Sequence, residues 1–263
     1  MQIYTHTLPG GAQLIGYLRD RTVEMPAFNT RPAILILPGG GYAWCSRREA
    51  DPVAMQFLQA GYNVFTLYYT CRSDETVPAL RWQPLIDAAG AILHIRRNAE
   101  QFGTDPAKIA ICGFSAGGHL ALSGAVLDIP GETAQQRPNA VILGYPVITA
   151  GEFAHRGSFV QLAGSEDAAA QQAFTLEDKV TSDTPPVFVW HTMEDKTVPV
   201  ENTLLLLAAL RRAGVPCEAH LFEKGAHGTS ISTAEVDAAD PHRAHWVALC
   251  LEWLGETLGF KLS

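Results

Sequence analysis

The chain has 263 residues, of which 47% are hydrophobic and 17% charged, with a formal net charge of −8. A chain of this length can bury one large hydrophobic core. Because it contains no polar low-complexity tract, it is not expected to be disordered. An acidic chain without clustered Lys and Arg excludes a phosphate-binding surface, so we expect no nucleic-acid partner. No apolar run approaches eighteen residues, so we expect no membrane partner. A single domain over residues 1–263 is therefore predicted.

The first six residues lack a basic segment followed by an apolar one, so we see no export signal and expect a cytoplasmic location. The five cysteines show no C-x-x-C spacing and are typical of reduced thiols. Neither paired zinc spacings nor an H-E-x-x-H helix occurs, so we expect no metal and no cofactor. The oligomeric state stays open, and assembly with further copies of the chain is compatible with the composition.

Strand and helix signals alternate along the chain. Two antiparallel strands are predicted near 2–6 and 12–18, joined by a Gly10-Gly11 turn. The apolar segments that predict six further strands lie near residues 33, 63, 108, 140, 187 and 217. The predicted helices cover residues 49–60, 82–101, 116–127, 201–213 and 242–258. This alternation predicts an α/β fold with an eight-stranded, mostly parallel sheet and helices on both faces.

Two local sequence signals predict where helices end. Asp105-Pro106 is expected to close the second helix, and Gly214 to stop the fourth. Residues 150–184 fall between the sixth and seventh predicted strands. We interpret them as a small lid insertion, with a surface helix and its loops as the alternative.

A glycine run, Pro38-Gly39-Gly40-Gly41-Tyr42, follows the third predicted strand. Glycines at such a place let backbone N–H groups turn toward a ligand. We therefore predict that Gly40 and Gly41 form part of an oxyanion hole. The alternative is a flexible turn without chemistry.

The fifth predicted strand leads into Gly113-Phe114-Ser115-Ala116-Gly117 and then into a helix-compatible segment. A strand, a tight turn bearing a serine and a helix are the context of a nucleophile elbow. Small flanking residues suit it, because the neighbouring backbone segments pass close together. Ser115 is the predicted nucleophile, and the Ala116 N–H is a predicted oxyanion donor.

An acid and a base follow the serine in chain order. Asp195 comes just after the apolar segment 187–190, and His227 lies in a glycine-flanked loop after 217–222. The order Ser, Asp, His differs from the orders in chymotrypsin and subtilisin. Glu194 is the alternative acid, but Asp195 lies nearer the Val-Pro turn and is preferred.

The other histidines are assigned different roles. His119 lies beside the elbow and His191 at a strand end, where structural or substrate-contacting roles are expected. His94, His242 and His245 fall in helical patterns, where core or surface positions are the default.

Four residues near the glycine run and the elbow are candidates for substrate binding. They lie on or just after strand ends, and aromatic faces suit sugar rings or a feruloyl group. Ordinary core or lid packing is the alternative for each. The four residues are Tyr42, Trp44, Arg72 and Phe114.

The glycine run, the elbow and the loops of Asp195 and His227 together resemble the α/β-hydrolase carbohydrate esterases. More narrowly, the chain is similar to the acetyl xylan and feruloyl esterase-like group, which includes xylanase-associated acetylesterases. Pro38 departs from the hormone-sensitive lipase pattern, which has His before the glycines. The departure removes a loop-ordering side chain but keeps the glycine N–H groups.

The resemblance implies a serine carboxylic-ester hydrolase that acts through an acyl-enzyme. Its implied partner is a small-molecule ester, such as the O-acetyl groups of a xylo-oligosaccharide or related sugar. The same triad serves arylformamidases and peptidases, which remain alternatives. A non-catalytic ligand-binding receptor on this fold is a third, but the intact Ser, Asp and His argue against it.

Overall fold

The structure, a computed structural model, describes residues 1–74, 76–128 and 134–262. The strands are β1 (Gln2–Thr7), β2 (Gln13–Leu18), β3 (Arg31–Leu37), β4 (Asn63–Tyr68), β5 (Thr104–Phe114), β6 (Ala140–Gly144), β7 (Val187–Thr192) and β8 (Cys217–Phe222). They form one sheet in the order β1-β2-β4-β3-β5-β6-β7-β8. The pairs β1–β2 and β2–β4 are antiparallel, and the other five are parallel. The predicted eight-stranded, mostly parallel sheet is confirmed.

Helices cover both faces of this sheet. They are α1 (Asp51–Gln59), α2 (Gln83–Arg97), α3 (Ala99–Phe102), α4 (Ala116–Val126), α5 (Arg156–Ala163), α6 (Ala168–Gln172), α7 (Glu201–Ala213), α8 (Pro241–Ala244) and α9 (Trp246–Thr257). None of the helices in the described ranges is both long and apolar enough to cross a bilayer.

Two hydrophobic cores flank the sheet, and β3 contributes to both. Its Leu35 packs in the core that contains α2, α4 and α7, whereas Ile34 and Ile36 pack in the core of α1 and α9. Successive side chains of a strand point to opposite faces, so a strand covered on both sides is apolar throughout. Every residue of β3 is accordingly buried.

The predicted helices differ from the structure in two details. The second predicted helix, 82–101, is divided into α2 and α3, and Gly103, with a φ of +59°, turns the chain after Phe102 in place of Asp105-Pro106. Asp105 and Pro106 instead lie in the first part of β5. The last predicted helix is divided into α8 and α9 around His245. Gly214, in contrast, ends α7 in the left-handed conformation, as predicted.

The strand order decides where the functional loops meet. The strands β3, β5, β6, β7 and β8 are successive parallel neighbours, so their carboxyl ends share one edge of the sheet. Open α/β sheets bind ligands at this edge. The glycine run, the elbow and the loops of Asp195 and His227 all leave from it.

Candidate active site

Ser115 occupies a sharp turn between β5 and α4. Its φ of +53° and ψ of −120° are strained for a residue with a side chain. The turn also brings Gly117 so close to β3 that a Cβ there would lie 2.1 Å from the Leu37 carbonyl oxygen. Only glycine fits that contact. The turn therefore has the geometry of a nucleophile elbow and lies at the carboxyl edge of the sheet.

The structure brings Ser115, His227 and Asp195 together in one hydrogen-bonded chain. The Ser115 Oγ lies 2.8 Å from His227 Nε2, and His227 Nδ1 lies 2.6 Å from Asp195 Oδ2. Because a carboxylate only accepts hydrogen bonds, Nδ1 carries the proton. Nε2 is then the acceptor for the serine hydroxyl. This arrangement can deprotonate Ser115 as its oxygen attacks.

Hydrogen-bond donors on both carboxylate oxygens keep Asp195 ionised. Its Oδ1 accepts from the N–H groups of Thr197 and Val198, each at 2.9 Å. Burial raises the pKa of Asp195, but hydrogen bonds from His191 and His227 outweigh burial and keep the pKa well below its usual value. The alternative acid, Glu194, is exposed and accepts from the Gly225 N–H. It lies outside the hydrogen-bonded chain.

His191 forms a further hydrogen bond with Asp195. Its Nε2 lies 3.2 Å from Asp195 Oδ2 and 3.0 Å from the Val198 carbonyl oxygen, and both atoms are acceptors. Nε2 therefore carries a proton, and Nδ1 accepts from the Thr203 hydroxyl at 2.8 Å. The imidazole is fully buried. His191 thus orients the acid, a role that its strand-end position left undecided.

The glycine run forms a tight turn beside the serine. Gly40 has a φ of +126°, and a Cβ there would lie 2.2 Å from the Trp44 carbonyl oxygen. The Gly40 carbonyl accepts from the N–H groups of Ala43 and Trp44. Within the described ranges, no hydrogen bond engages the N–H groups of Gly40 and Gly41. The Ala116 N–H is free of an intrahelical partner, because it opens α4.

These elements surround a cavity of about 360 Å³, which we call the nucleophile cavity. Ser115 and His227 line it, together with the glycine turn and the exposed ring of Trp44. Gly157, Gln161 and His155 contribute from the segment 150–184. That segment carries α5 and α6, and its role as a lid stays a prediction.

Of the four predicted substrate-binding residues, only Trp44 lines the nucleophile cavity, and two of the other three lie in the core. Phe114 is fully buried against Tyr145 and Trp246. Tyr42 is 1% exposed, and its hydroxyl lies 2.7 Å from His119 Nδ1. Both side chains point into the core, so the expectation of direct substrate contact was wrong for them.

The other two predicted residues lie nearer the substrate space. Trp44 is 63% exposed at the mouth of the nucleophile cavity. Arg72 is buried and stands behind the cavity wall, where it donates to the Val77 carbonyl and to Oε1 of Gln161. Arg72 therefore supports Gln161, which lines the cavity, and is not itself one of the lining residues.

A buried carboxylate that the sequence analysis missed, Glu49, orders the glycine turn. Its Oε2 accepts from the Gly39 N–H at 2.7 Å, and its Oε1 accepts from the Tyr145 hydroxyl at 2.6 Å. The same hydroxyl accepts from the Ser230 N–H at 2.9 Å. The Tyr145 ring packs edge-on against the imidazole of His227, with centroids 4.9 Å apart. Glu49 and Tyr145 thus link the glycine turn to the loop of the base.

We expect Glu49→Ala to lower kcat/KM for p-nitrophenyl acetate by about 10- to 100-fold, because it leaves the buried Gly39 N–H without an acceptor. Glu49→Gln keeps an acceptor for that N–H and is expected to retain more activity. Steady-state kinetics measure kcat/KM for both variants, and thermal unfolding shows whether each variant is folded. Wild-type kcat/KM in a folded Glu49→Ala protein would show that the turn does not depend on Glu49.

His119 is a buried, neutral histidine beneath the site. Its Nε2 donates to the Phe174 carbonyl at 2.7 Å, and its Nδ1 accepts from the Tyr42 hydroxyl. Burial lowers the pKa of His119 to about 4, although the bond to Phe174 opposes this. An unfolded chain takes up this proton near pH 6.5. Between these values the unfolded state binds more protons, so stability falls as the pH falls.

We therefore expect the free energy of unfolding to fall by up to about 1.4 kcal/mol per pH unit through His119 as the pH drops from about 6.5 to 4. In His119→Gln this contribution disappears, and the stability curve is flatter over that window. Urea unfolding at a series of pH values compares the two proteins. Parallel curves would contradict a neutral, buried His119.

A mostly parallel sheet with a serine elbow, an acid loop and a histidine loop at its carboxyl edge defines the α/β-hydrolase class. The chain belongs to the α/β-hydrolase family. The family model of the prolyl oligopeptidases matches residues 91–260, and the BD-FAE family model matches residues 23–142. The predicted family resemblance is confirmed.

Three of the proteins similar to the chain have names that refer to xylan or to a xyloside. Endo-1,4-beta-xylanase B of Butyrivibrio fibrisolvens is 39% identical over 84% of this chain, and acetylxylan esterase of Xylanibacter ruminicola is 30% identical over 85%. The chain spans only 35% and 45% of the lengths of these two relatives. The structure of an acetyl ester-xyloside bifunctional hydrolase from Caldicellulosiruptor lactoaceticus has a TM-score of 0.82 and 35% identity. That match covers 97% of this chain and 90% of the other.

Proposed function

We propose that the protein is a serine ester hydrolase that removes small acyl groups, above all O-acetyl groups of xylo-oligosaccharides or related sugars. The observation that carries this proposal is the hydrogen-bonded series Ser115, His227 and Asp195, beside a glycine turn whose Gly40 and Gly41 N–H groups bind no described residue. This constellation fits acyl transfer, since it provides a nucleophile, a base and an oxyanion site.

In the first half of the reaction, His227 Nε2 takes the Ser115 proton while Oγ attacks the ester carbonyl. The oxyanion of the tetrahedral intermediate lies against the N–H groups of Ala116 and Gly40, with Gly41 as a further donor. Losing one such donor costs about 2.7 to 4 kcal/mol of transition-state stabilisation in related chemistry. Asp195 stabilises the imidazolium that forms, and the imidazolium then protonates the departing alcohol.

In the second half, water replaces the alcohol. His227 takes a proton from the water, which attacks the acyl-enzyme at the same carbonyl carbon. Collapse of the second tetrahedral intermediate returns the proton to Ser115 and releases the carboxylic acid. Every proton transfer passes through His227 Nε2, and the two transfers that involve Ser115 use its 2.8 Å contact with Oγ.

Sugar esters are favoured as substrates by the cavity and by the relatives. The nucleophile cavity is small, and the exposed indole of Trp44 at its mouth offers a flat apolar face of the kind on which a sugar ring stacks. The similar proteins include an acetylxylan esterase and an acetyl ester-xyloside hydrolase. We therefore place the acyl group in the nucleophile cavity and the sugar at the side of Trp44.

Acetate release from acetylated xylo-oligosaccharides tests this function, measured beside p-nitrophenyl acetate and p-nitrophenyl octanoate. We expect release from the sugar and faster hydrolysis of the acetyl than of the octanoyl ester. Turnover of aryl formamides or peptides in place of the esters would overturn the proposal in favour of an arylformamidase or peptidase. No turnover of any of these compounds would indicate a binding protein.

A further inference from the structure

A second cavity, of about 570 Å³, adjoins the nucleophile cavity. Three residues line both: Arg48, His227 and Gly228. The second cavity continues along the loop that follows β8 and reaches Lys224, Thr229 and Asp237. We call it the outer cavity. The reaction proposed above does not use it.

The position of the outer cavity relates it to the departing alcohol. His227 protonates the alcohol oxygen, so that oxygen must lie against the imidazole when the ester bond breaks. His227 lines both cavities. An alcohol larger than one sugar unit can therefore extend past His227 into the outer cavity while the acyl group stays near the glycine turn.

The lining of the outer cavity contains polar groups that form no hydrogen bond with the described residues. Thr229 is 6% exposed, and its Oγ1 makes no hydrogen bond to any described residue. A buried hydroxyl without a partner is rare and costs stability. The exposed Arg48 guanidinium packs against Gly228, and no described residue forms a hydrogen bond or ion pair with it. The described residues thus leave hydrogen-bonding capacity of both groups unused.

The wall of the outer cavity is rigid. Arg243 is 5% exposed and donates to the Ser232 hydroxyl, to the carbonyls of Lys224 and Ala238, and to the Asp240 carboxylate. Because its donors are used internally, Arg243 holds the loop in place. The exposed side chains of Lys224 and Asp237 remain at the opening.

The chemistry of the lining identifies a hydroxyl-bearing ligand. Arg48 and Lys224 donate, Asp237 accepts, and Thr229 does both, which suits sugar hydroxyls. The apolar side chains in the lining are three alanines, at positions 226, 238 and 239, so an alkyl chain would gain little there. We propose that the outer cavity is a subsite for further glycosyl units of the alcohol. This inference rests on the proposed function and specifies the substrate as an oligosaccharide.

The test is the ratio of kcat/KM for monoacetylated xylotetraose to that for monoacetylated xylose. We expect this ratio to be at least about tenfold in the wild type, because the longer alcohol alone reaches the outer cavity. Thr229→Val and Lys224→Ala should each lower the ratio about threefold to tenfold, the usual effect of losing a hydrogen bond. Lys224→Ala changes only an exposed side chain, so its kcat/KM ratio tests the subsite even if Thr229→Val folds poorly.

Thr233→Val is the matched control. The Thr233 hydroxyl also lacks a partner among the described residues, but Thr233 does not line the outer cavity. Its variant should keep the wild-type ratio. A ratio near one in the wild type, or equal effects of the Thr229 and Thr233 substitutions, would overturn the subsite and leave ester hydrolysis intact. Hydrolysis of p-nitrophenyl acetate with neither sugar ester turned over would overturn the sugar substrate as well.

Discussion

Ser115→Ala is expected to lower kcat for p-nitrophenyl acetate by about 10⁶-fold, as removal of the nucleophile does in other serine hydrolases. The substitution removes the one atom that attacks the carbonyl, while the glycine turn and the cavity remain. The small residual rate would come from the oxyanion donors and from binding. Alanine keeps a Cβ at the strained φ of +53°, so the elbow should fold as in the wild type.

Ser123→Ala is the control for this comparison. Ser123 lies in the same helix as the elbow, and its buried hydroxyl donates to the His119 carbonyl at 2.8 Å. Its loss should reduce stability by about 1 kcal/mol and leave kcat near the wild-type value. If Ser115→Ala and Ser123→Ala were equally active, Ser115 would not be the nucleophile.

Asp195→Asn is expected to lower kcat about 10⁴-fold, with a small change in KM. Backbone N–H groups of Thr197 and Val198 both point at Oδ1, so the amide oxygen must take that place. The amide NH₂ then lies where Oδ2 accepts from His227. A donor there favours the imidazole tautomer with the proton on Nε2, which cannot accept the serine proton.

The neighbouring carboxylate supplies the control for the acid. Glu194→Gln changes a similar charge on the next residue and keeps an oxygen that can accept from the Gly225 N–H. Its kcat should stay within about twofold of the wild type, in line with an exposed substitution. Steady-state kinetics at neutral pH compare the two variants, and equal losses would point to a general charge effect in place of a specific acid.

The hydrogen-bonded arrangement of Ser115, His227 and Asp195 could be predicted because its signals are local. Ser115 lies in a continuous strand, turn and helix, and Asp195 and His227 each follow an apolar strand segment. Loops at the carboxyl ends of neighbouring parallel strands meet once the sheet forms. A prediction of the fold is therefore enough to predict that these three residues lie close together.

Glu49 and Tyr145 could not be found in the same way. They are 96 residues apart, and their hydrogen bond exists only after β3, β5 and β6 have packed side by side. In the sequence, Glu49 follows two arginines at the start of a helix, where an acidic residue is ordinary. No local pattern distinguishes a buried carboxylate from a solvated one at that place.

Side-chain direction at the strand ends was the other source of error. Tyr42 and Phe114 are adjacent in sequence to the glycine turn and to Ser115, yet both side chains point into the core. Adjacent residues of a strand or tight turn face opposite directions, so closeness in sequence to a catalytic residue does not place a side chain in the pocket. Trp44, two residues after Tyr42, is exposed and lines the cavity.

Mass spectrometry of the protein after reaction with a fluorophosphonate tests the central claim most directly. We expect one adduct per chain, located on the peptide that contains Ser115, with none in Ser115→Ala and slow formation in His227→Ala. An active enzyme that forms no adduct, or forms it at a residue other than Ser115, would contradict a Ser115 acyl-enzyme.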